Sequence, residues 1–121
     1  MKFTREMPAA ITIQSVSDGQ IRIGGEIYRK TIALTTSTVI NDWRFCPVAD
    51  LTANDLAPIV ATKPDVLVLG TGPQSEFAPR EIVFALARKG IGLEVMDTAA
   101  AARTFNVLAG EGRNVAAILY L

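Results

Sequence analysis

The sequence contains no histidine and a single cysteine, Cys46. Histidine is the commonest general base and the commonest metal ligand in enzymes. Its absence therefore excludes Ser-His-Asp hydrolases, Cys-His proteases and histidine-ligated zinc sites. A lone cysteine forms no intrachain disulfide, and we interpret Cys46, which precedes Pro47, as an inert thiol rather than a nucleophile. Lysine chemistry, cofactor chemistry and carboxylate-bound metals remain open as enzyme classes.

The chain also lacks net charge and long apolar runs. Twelve basic residues balance twelve acidic ones, and no Lys/Arg-rich run creates a local field, which argues against nucleic-acid binding. No window approaches the ~18 apolar residues of a membrane span. Residues 1–8 have neither the apolar core of a signal peptide nor the Arg- and Ser-rich character of a transit sequence. We therefore expect a cytoplasmic protein that does not insert into a membrane.

Alternating apolar and polar residues fill the first half of the chain. The whole chain has 121 residues, half of them apolar, which suits one compact domain over residues 1–121. The turn signal Ser17-Asp18-Gly19 predicts a hairpin, and the alternation continues beyond it. The predicted strands are residues 11–16, 20–23, 26–28, 30–34 and 38–40. The first half is therefore predicted to be an antiparallel meander.

The second half alternates strands with helices. Thr52 and Asp55 predict a capped helix that Pro58 shortens or distorts. The remaining predicted elements are a strand at 66–69, a helix at 79–89, a strand at 92–96, a helix from Asp97 or Thr98 through Ala109, and a strand at 114–119. Strands joined by such helices form parallel crossovers, which predicts a β-α-β-α-β unit. The N-terminal strands then either extend its sheet at an edge or stack on it as an extra layer.

The apolar strand at residues 66–69 ends in Gly70-Thr71-Gly72, with glycines spaced as in a dinucleotide-binding turn. That fingerprint needs glycine at its first, third and sixth positions and a helix directly after the turn. Here the sixth position is Ser75, and the helix start at Pro79 comes late. Beyond the two glycines, only Glu94 matches, in the place of a ribose-binding acid. We interpret the segment as a tight turn at the carboxyl end of a central strand, where a crevice for a different ligand is still possible.

A second group of polar residues lies on and after the predicted helix that follows Asp97. Ala101, Phe105 and Leu108 recur at i, i+4 and i+7 as a core stripe, and the polar positions fall between them. The candidate crevice residues are Gly70, Thr71, Gly72, Asp97, Thr98, Arg103, Thr104, Asn106, Glu111 and Arg113. The alternative is structural: Asp97 caps the helix, and Glu111 pairs with an arginine. We assign no catalytic residue, no cofactor and no metal ligand.

Several of these segments together resemble the Mth-domain family over nearly the whole chain. The resemblance implies an α/β fold of three layers, with a mixed central sheet flanked by helices and an N-terminal antiparallel β layer. It implies no established enzyme activity, and it suggests action through protein binding during assembly. Phe105 stands where tyrosine is common in the family, and Ala102 stands where many members have cysteine. The segments that carry the resemblance are Gly70-Thr71-Gly72, Glu94-Val95-Met96-Asp97-Thr98, Arg103-Thr104-Phe105-Asn106-Val107-Leu108 and Glu111-Gly112-Arg113.

The predicted helix at 79–89 carries a candidate interface. Arg80, Phe84 and Arg88 recur at i, i+4 and i+8, opposite the apolar side of the helix, and arginine and aromatic residues are common interface anchors. A phenylalanine covered by the N-terminal layer explains the pattern equally well. Two functions follow: a non-catalytic interaction or assembly protein with an unknown protein partner or a second copy, or a small-molecule or anion-binding protein, an enzyme included, with its crevice at the glycine turn.

Overall fold

The computed structural model describes residues 10–40, 43 and 46–121, so the N-terminal segment considered above for a targeting signal lies outside the described residues. The strands are β1 (Ile13–Ser17), β2 (Gln20–Ile23), β3 (Glu26–Tyr28), β4 (Ile32–Thr35), β5 (Val39–Ile40), β6 (Val66–Thr71), β7 (Gly92–Met96) and β8 (Val115–Tyr120). The helices are α1 (Ala57–Val60), α2 (Arg80–Arg88) and α3 (Thr98–Gly110), with 3₁₀ turns at Val48–Asp50 and Ala53–Leu56. The expected α/β class is confirmed.

A mixed five-stranded sheet forms the centre of the fold, in the order β5-β4-β8-β6-β7. Strand β6 pairs in parallel with both β7 and β8, whereas β4 pairs antiparallel with β8 and with β5. The order β6, α2, β7, α3, β8 along the chain is the predicted β-α-β-α-β unit. It places the carboxyl ends of the three parallel strands at one edge of the sheet, beside the start of α3.

The N-terminal strands divide between two sheets, which the sequence left undecided. Strands β1 to β3 form a separate antiparallel sheet, whose side chains share a core with α3. Strands β4 and β5 instead extend the central sheet at its edge. The β1–β2 turn is tight, with left-handed backbone at Asp18 (φ 52°) and Gly19 (φ 71°), as the turn signal predicted.

The two faces of the central sheet contact different layers because side chains alternate along each strand. In β6, Val66 and Val68 pack toward α3 and the small sheet. Leu67 and Leu69 pack on the other side, toward α2 and the 3₁₀ turns. Phe105 of α3 is fully buried between the central sheet and the small sheet. Helices α2 and α3 therefore lie on opposite faces of the sheet.

Local capping follows the predicted residues. Thr52 and Asp55 form a reciprocal capping box, but it opens a 3₁₀ turn, and α1 is only four residues long with Pro58 in its first turn. The Asp97 carboxylate caps α3 by accepting from the Ala100 amide at 2.9 Å. Within the described ranges, none of these helices has both the length and the apolar character that a membrane crossing requires.

Candidate functional site

Hydrogen bonds among its own polar groups hold the turn after β6. The Thr71 hydroxyl donates to the Gln74 carbonyl at 2.7 Å and accepts from the Glu76 amide at 3.1 Å. Gly72 has left-handed backbone at φ 104°, a conformation that glycine adopts without steric cost. The loop leading toward α2 is thus held by Thr71 and does not lie open as a phosphate-binding loop would.

Thr98 joins this turn to the end of β8. Its buried hydroxyl accepts from the Gly72 amide at 2.7 Å and donates to the Tyr120 carbonyl at 2.6 Å. The Thr98 amide donates in turn to the Gly72 carbonyl at 2.8 Å. One threonine therefore fixes the ends of β6 and β8 and the start of α3 relative to one another.

These bonds occupy three of the first four amides at the start of α3. The amides of Thr98, Ala100 and Ala101 donate to Gly72, the Asp97 side chain and the Asp97 carbonyl, respectively. The Asp97 carboxylate stands at the positive end of the helix dipole, where a bound phosphate would otherwise lie. This arrangement disfavours a dinucleotide, in agreement with the incomplete glycine fingerprint.

A cleft of about 260 Å³ lies at this edge of the sheet. One wall is the β1–β2 turn with Val16, and the other is formed by Gly72, the start of α3 and the end of β8. Asp18 and Asp97 are the only charged side chains among the described residues that line it. Two carboxylates repel an anionic ligand, so the cleft suits a neutral or cationic molecule.

The structure brings together only part of the predicted crevice. Gly72, Asp97 and Thr98 line the cleft, while Gly70 and Thr71 are buried in β6. Arg103, Glu111 and Arg113 are exposed and do not line the cleft. Thr104 contacts Met96 of β7 through its hydroxyl, which lies 3.3 Å from the thioether sulfur. Whether any of these residues binds a ligand stays a prediction.

Asn106 has a structural contact that its position in the sequence does not reveal. Its side-chain amide donates to the Ile13 carbonyl and its oxygen accepts from the Ile13 amide, both at 2.9 Å. The pair of bonds imitates a strand pairing and fixes β1 against α3. Asn106 therefore holds the small sheet in place and lies outside the cleft.

No sequence pattern predicts the polar cluster that surrounds Tyr120. The Tyr120 hydroxyl donates to the Cys46 carbonyl at 2.6 Å, and its ring meets Trp43 edge to face with centroids 6.2 Å apart. The Trp43 indole donates to the Asp55 carbonyl, and the Cys46 thiol donates to the Asp55 carboxylate at 3.6 Å. Burial raises the pKa of Tyr120 well above its usual value, and nearby Cys46 and Asp55 raise it further.

This raised pKa predicts a pH-dependent contribution to stability. At pH 7, Tyr120→Phe should lower the free energy of unfolding by about 1 kcal/mol, the value of one hydrogen bond. Above pH ~10 the unfolded tyrosine ionises while the folded one stays protonated, so the wild-type advantage should shrink by about 1.4 kcal/mol per pH unit. Urea unfolding of both proteins from pH 7 to 11 measures the difference. A constant difference over that range would contradict the assignment.

The outer face of α2 exposes apolar and basic side chains together. Ile82, Ala85 and Leu86 are buried against the sheet, whereas Phe84 is 54% exposed. Arg80 and Arg88 are also exposed, and they lie four residues before and after Phe84, about one helical turn away on each side. Phe77, in the loop before the helix, is 98% exposed. We call Arg80, Phe84 and Arg88 the α2 face.

Comparison with known proteins adds three kinds of relative. The Bos taurus NADH dehydrogenase (ubiquinone) 1 alpha subcomplex assembly factor 3 is 32% identical over 117 residues, which are 95% of this chain and 63% of that protein. A Bordetella pertussis structure described as a Mth938-like domain is 30% identical, with a TM-score of 0.79 over 99% of this chain and 92% of that one. A Bartonella henselae structure, described as an outer membrane protein, is 32% identical with a TM-score of 0.79 over 95% and 98% of the two chains.

The family assignment rests on nearly the whole described fold. The chain spans less than two thirds of the assembly factor's length, whereas the two bacterial structures match almost end to end. A family model described as "Protein of unknown function (DUF498/DUF598)" matches residues 13–120. The resemblance read from the sequence is thereby confirmed: this chain belongs to the DUF498/DUF598 family and has its Mth938-like fold.

Proposed function

We propose that this chain is a non-catalytic protein-binding domain that acts in the manner of an assembly factor, through its α2 face. The observation that carries the proposal is Phe84, an aromatic ring that is 54% exposed between two exposed arginines. Burying the exposed half of this ring would contribute about 0.75–1.5 kcal/mol, half of the value for full burial of such a side chain. Aromatic and arginine side chains dominate the binding energy of protein interfaces.

The position of the small sheet supports this proposal. Strands β1 and β2 share a core with α3, on the face of the central sheet opposite to α2. Among the described residues, the N-terminal layer therefore does not cover Phe84. This placement supports an intermolecular role for Phe84 over burial beneath the small sheet.

The relatives named as assembly factors also support action by protein binding. Proteins named as assembly factors for NADH dehydrogenase are about one third identical to this chain over most of its length. Those proteins are longer, so their partners are not transferred here. What we carry over as a proposal is action by binding a protein.

Affinity capture tests the proposal, with Phe84→Ser as the variant. We expect this substitution to weaken partner recovery by about 30-fold, the loss typical of an interface hot spot of 2 kcal/mol. Val107→Ser is the matched control, because Val107 is 59% exposed on α3, away from the α2 face. Equal recovery by the two variants would contradict a binding role for this face.

The cytoplasmic location stays a prediction, since one relative is named as an outer membrane protein. Fractionation of the native organism tests it. We expect the protein in the soluble fraction, and its recovery in washed membranes would contradict the prediction.

The second candidate function is small-molecule binding, and the cleft of about 260 Å³ favours it. The acidic lining by Asp18 and Asp97 directs the search to neutral and cationic metabolites. A ligand of the cleft should raise the melting temperature of the wild type and of Arg103→Ala, whose altered side chain lies outside the cleft, but raise that of Asp18→Asn less if it is a cation. A metabolite screen that leaves the wild-type melting temperature unchanged would remove this candidate.

A further inference from the structure

The charge of the α2 face specifies what kind of partner fits it. We infer that the partner presents an acidic amphipathic surface, in which an apolar side chain that meets Phe84 is flanked by carboxylates for Arg80 and Arg88. The inference rests on the proposed function and adds the chemistry of the partner. The two arginines stand about 12 Å apart along the helix, eight residues at 1.5 Å each, which matches two turns of a partner helix.

Glu81 does not neutralise this face. Its carboxylate accepts from the Ala53 amide at 3.3 Å, so it is directed toward the 3₁₀ turn at Ala53–Leu56 and not along the row that contains Phe84. The arginines are therefore the charges that a partner meets at this row. They favour carboxylates and disfavour a basic partner.

Arg80 occupies a position that stability alone does not favour. It is the first residue of α2, where the positive end of the helix dipole repels a cation. Arg88, in the last turn, has the favourable position. An arginine that is unfavourable for its own helix and is exposed beside a half-exposed phenylalanine indicates a role in binding.

A second copy of this chain fits the face poorly. If two α2 helices pack antiparallel about Phe84, Arg80 of one copy faces Arg88 of the other. If they pack in parallel, each arginine faces its own equivalent. Both two-fold arrangements place like charges together, which opposes association.

An anionic membrane fits it less well than an acidic protein does. Electrostatic attachment to lipid headgroups uses clusters of about four to eight basic residues. The α2 face offers two arginines, with Lys89 next to the second, on a chain of zero net charge. Two spaced arginines around one aromatic ring suit a discrete protein surface.

A pair of synthetic peptides tests the inference. One is a short amphipathic helix with leucines along one side flanked by glutamates, and the other has lysine in place of each glutamate. We expect the wild type to bind the acidic peptide at least about tenfold more tightly than the basic one, with weaker binding at high salt. In Arg80→Glu/Arg88→Glu the preference should reverse, while Arg80→Lys/Arg88→Lys should keep it.

The stability of the single variant Arg80→Glu distinguishes a binding role of Arg80 from a structural one. Because Glu is favourable at the start of a helix, Arg80→Glu should leave the melting temperature of the free protein unchanged or raise it while abolishing the preference for the acidic peptide. A drop in melting temperature that parallels the loss of binding would overturn the inference.

Several outcomes separate this inference from the proposed function. If partner capture depends on Phe84 but the wild type binds both peptides equally or neither, the proposed function stands and the acidic partner is wrong. If capture does not depend on Phe84, both fail. Binding to phosphatidylglycerol vesicles without binding to the acidic peptide would assign the face to a membrane, and a dimer that Phe84→Ser dissociates in sedimentation would assign it to a second copy. Either result overturns the inference.

Discussion

Replacing Gly70 with alanine is expected to lower the free energy of unfolding by about 3 kcal/mol, the upper end of the cost of overpacking a core. A Cβ at this position would lie 2.9 Å from the Ala101 Cβ and 2.9 Å from both the Cα and the hydroxyl oxygen of Thr98. The Thr98 Cα belongs to the backbone, and the Ala101 Cβ is the whole of its side chain, so neither atom can rotate away. Helix α3 would have to move away from β6, weakening the bonds of Thr98 at the turn.

Gly92→Ala provides the control for this prediction. Gly92 also lies in a parallel strand, but a Cβ there meets its nearest atoms at 3.7 Å, which is ordinary contact. We expect this variant to stay within about 0.5 kcal/mol of the wild type. Urea unfolding followed by circular dichroism measures both variants. Equal stabilities for the two would show that α3 does not approach β6 as closely as described.

Thr98→Val is expected to cost about 2–4 kcal/mol, because it removes the hydroxyl that the Gly72 amide and the Tyr120 carbonyl both use. Each buried group left without a partner costs about 1–3 kcal/mol. Valine and threonine side chains have nearly the same size, so the lost stability reflects the missing hydrogen bonds and not a cavity.

Thr98→Ser retains the hydroxyl and is the matched control. It should lose only the small packing contribution of one methyl group, about 1 kcal/mol. Thermal and urea unfolding of the two variants give the comparison. If the valine variant were as stable as the serine variant, the hydroxyl would not be the link between the ends of β6 and β8.

Sequence patterns predicted the elements of the second half because the decisive signals there are local. The apolar run at residues 66–69, the cap at Asp97 and the stripe of Ala101 and Phe105 each act within a few residues, and the structure confirms all three. The distribution of the first half between two sheets is a tertiary choice. Strand β4 joins β8, which follows it by some eighty residues, and no local pattern encodes that pairing.

The site was predicted less well for the same reason. The polar side chain of Asn106 and its place on α3 predict a crevice residue, but its hydrogen-bond partner is Ile13, 93 residues away. The hydrogen bond of Tyr120 to Cys46 also spans 74 residues. Phe77 is an aromatic residue inside a predicted loop, but its exposure follows from the placement of the layers and not from a local pattern. The α2 face was found from the sequence because helical spacing alone places its three residues together.

Site-specific photo-crosslinking tests most directly whether the α2 face binds a protein. A photoreactive phenylalanine analogue replaces Phe84 in one protein and Val107 in a second, both exposed helix positions, and both proteins are irradiated in cells of the native organism. We expect a discrete covalent protein adduct from position 84 that is absent from position 107. No adduct at 84, or the same adducts at both positions, would contradict it.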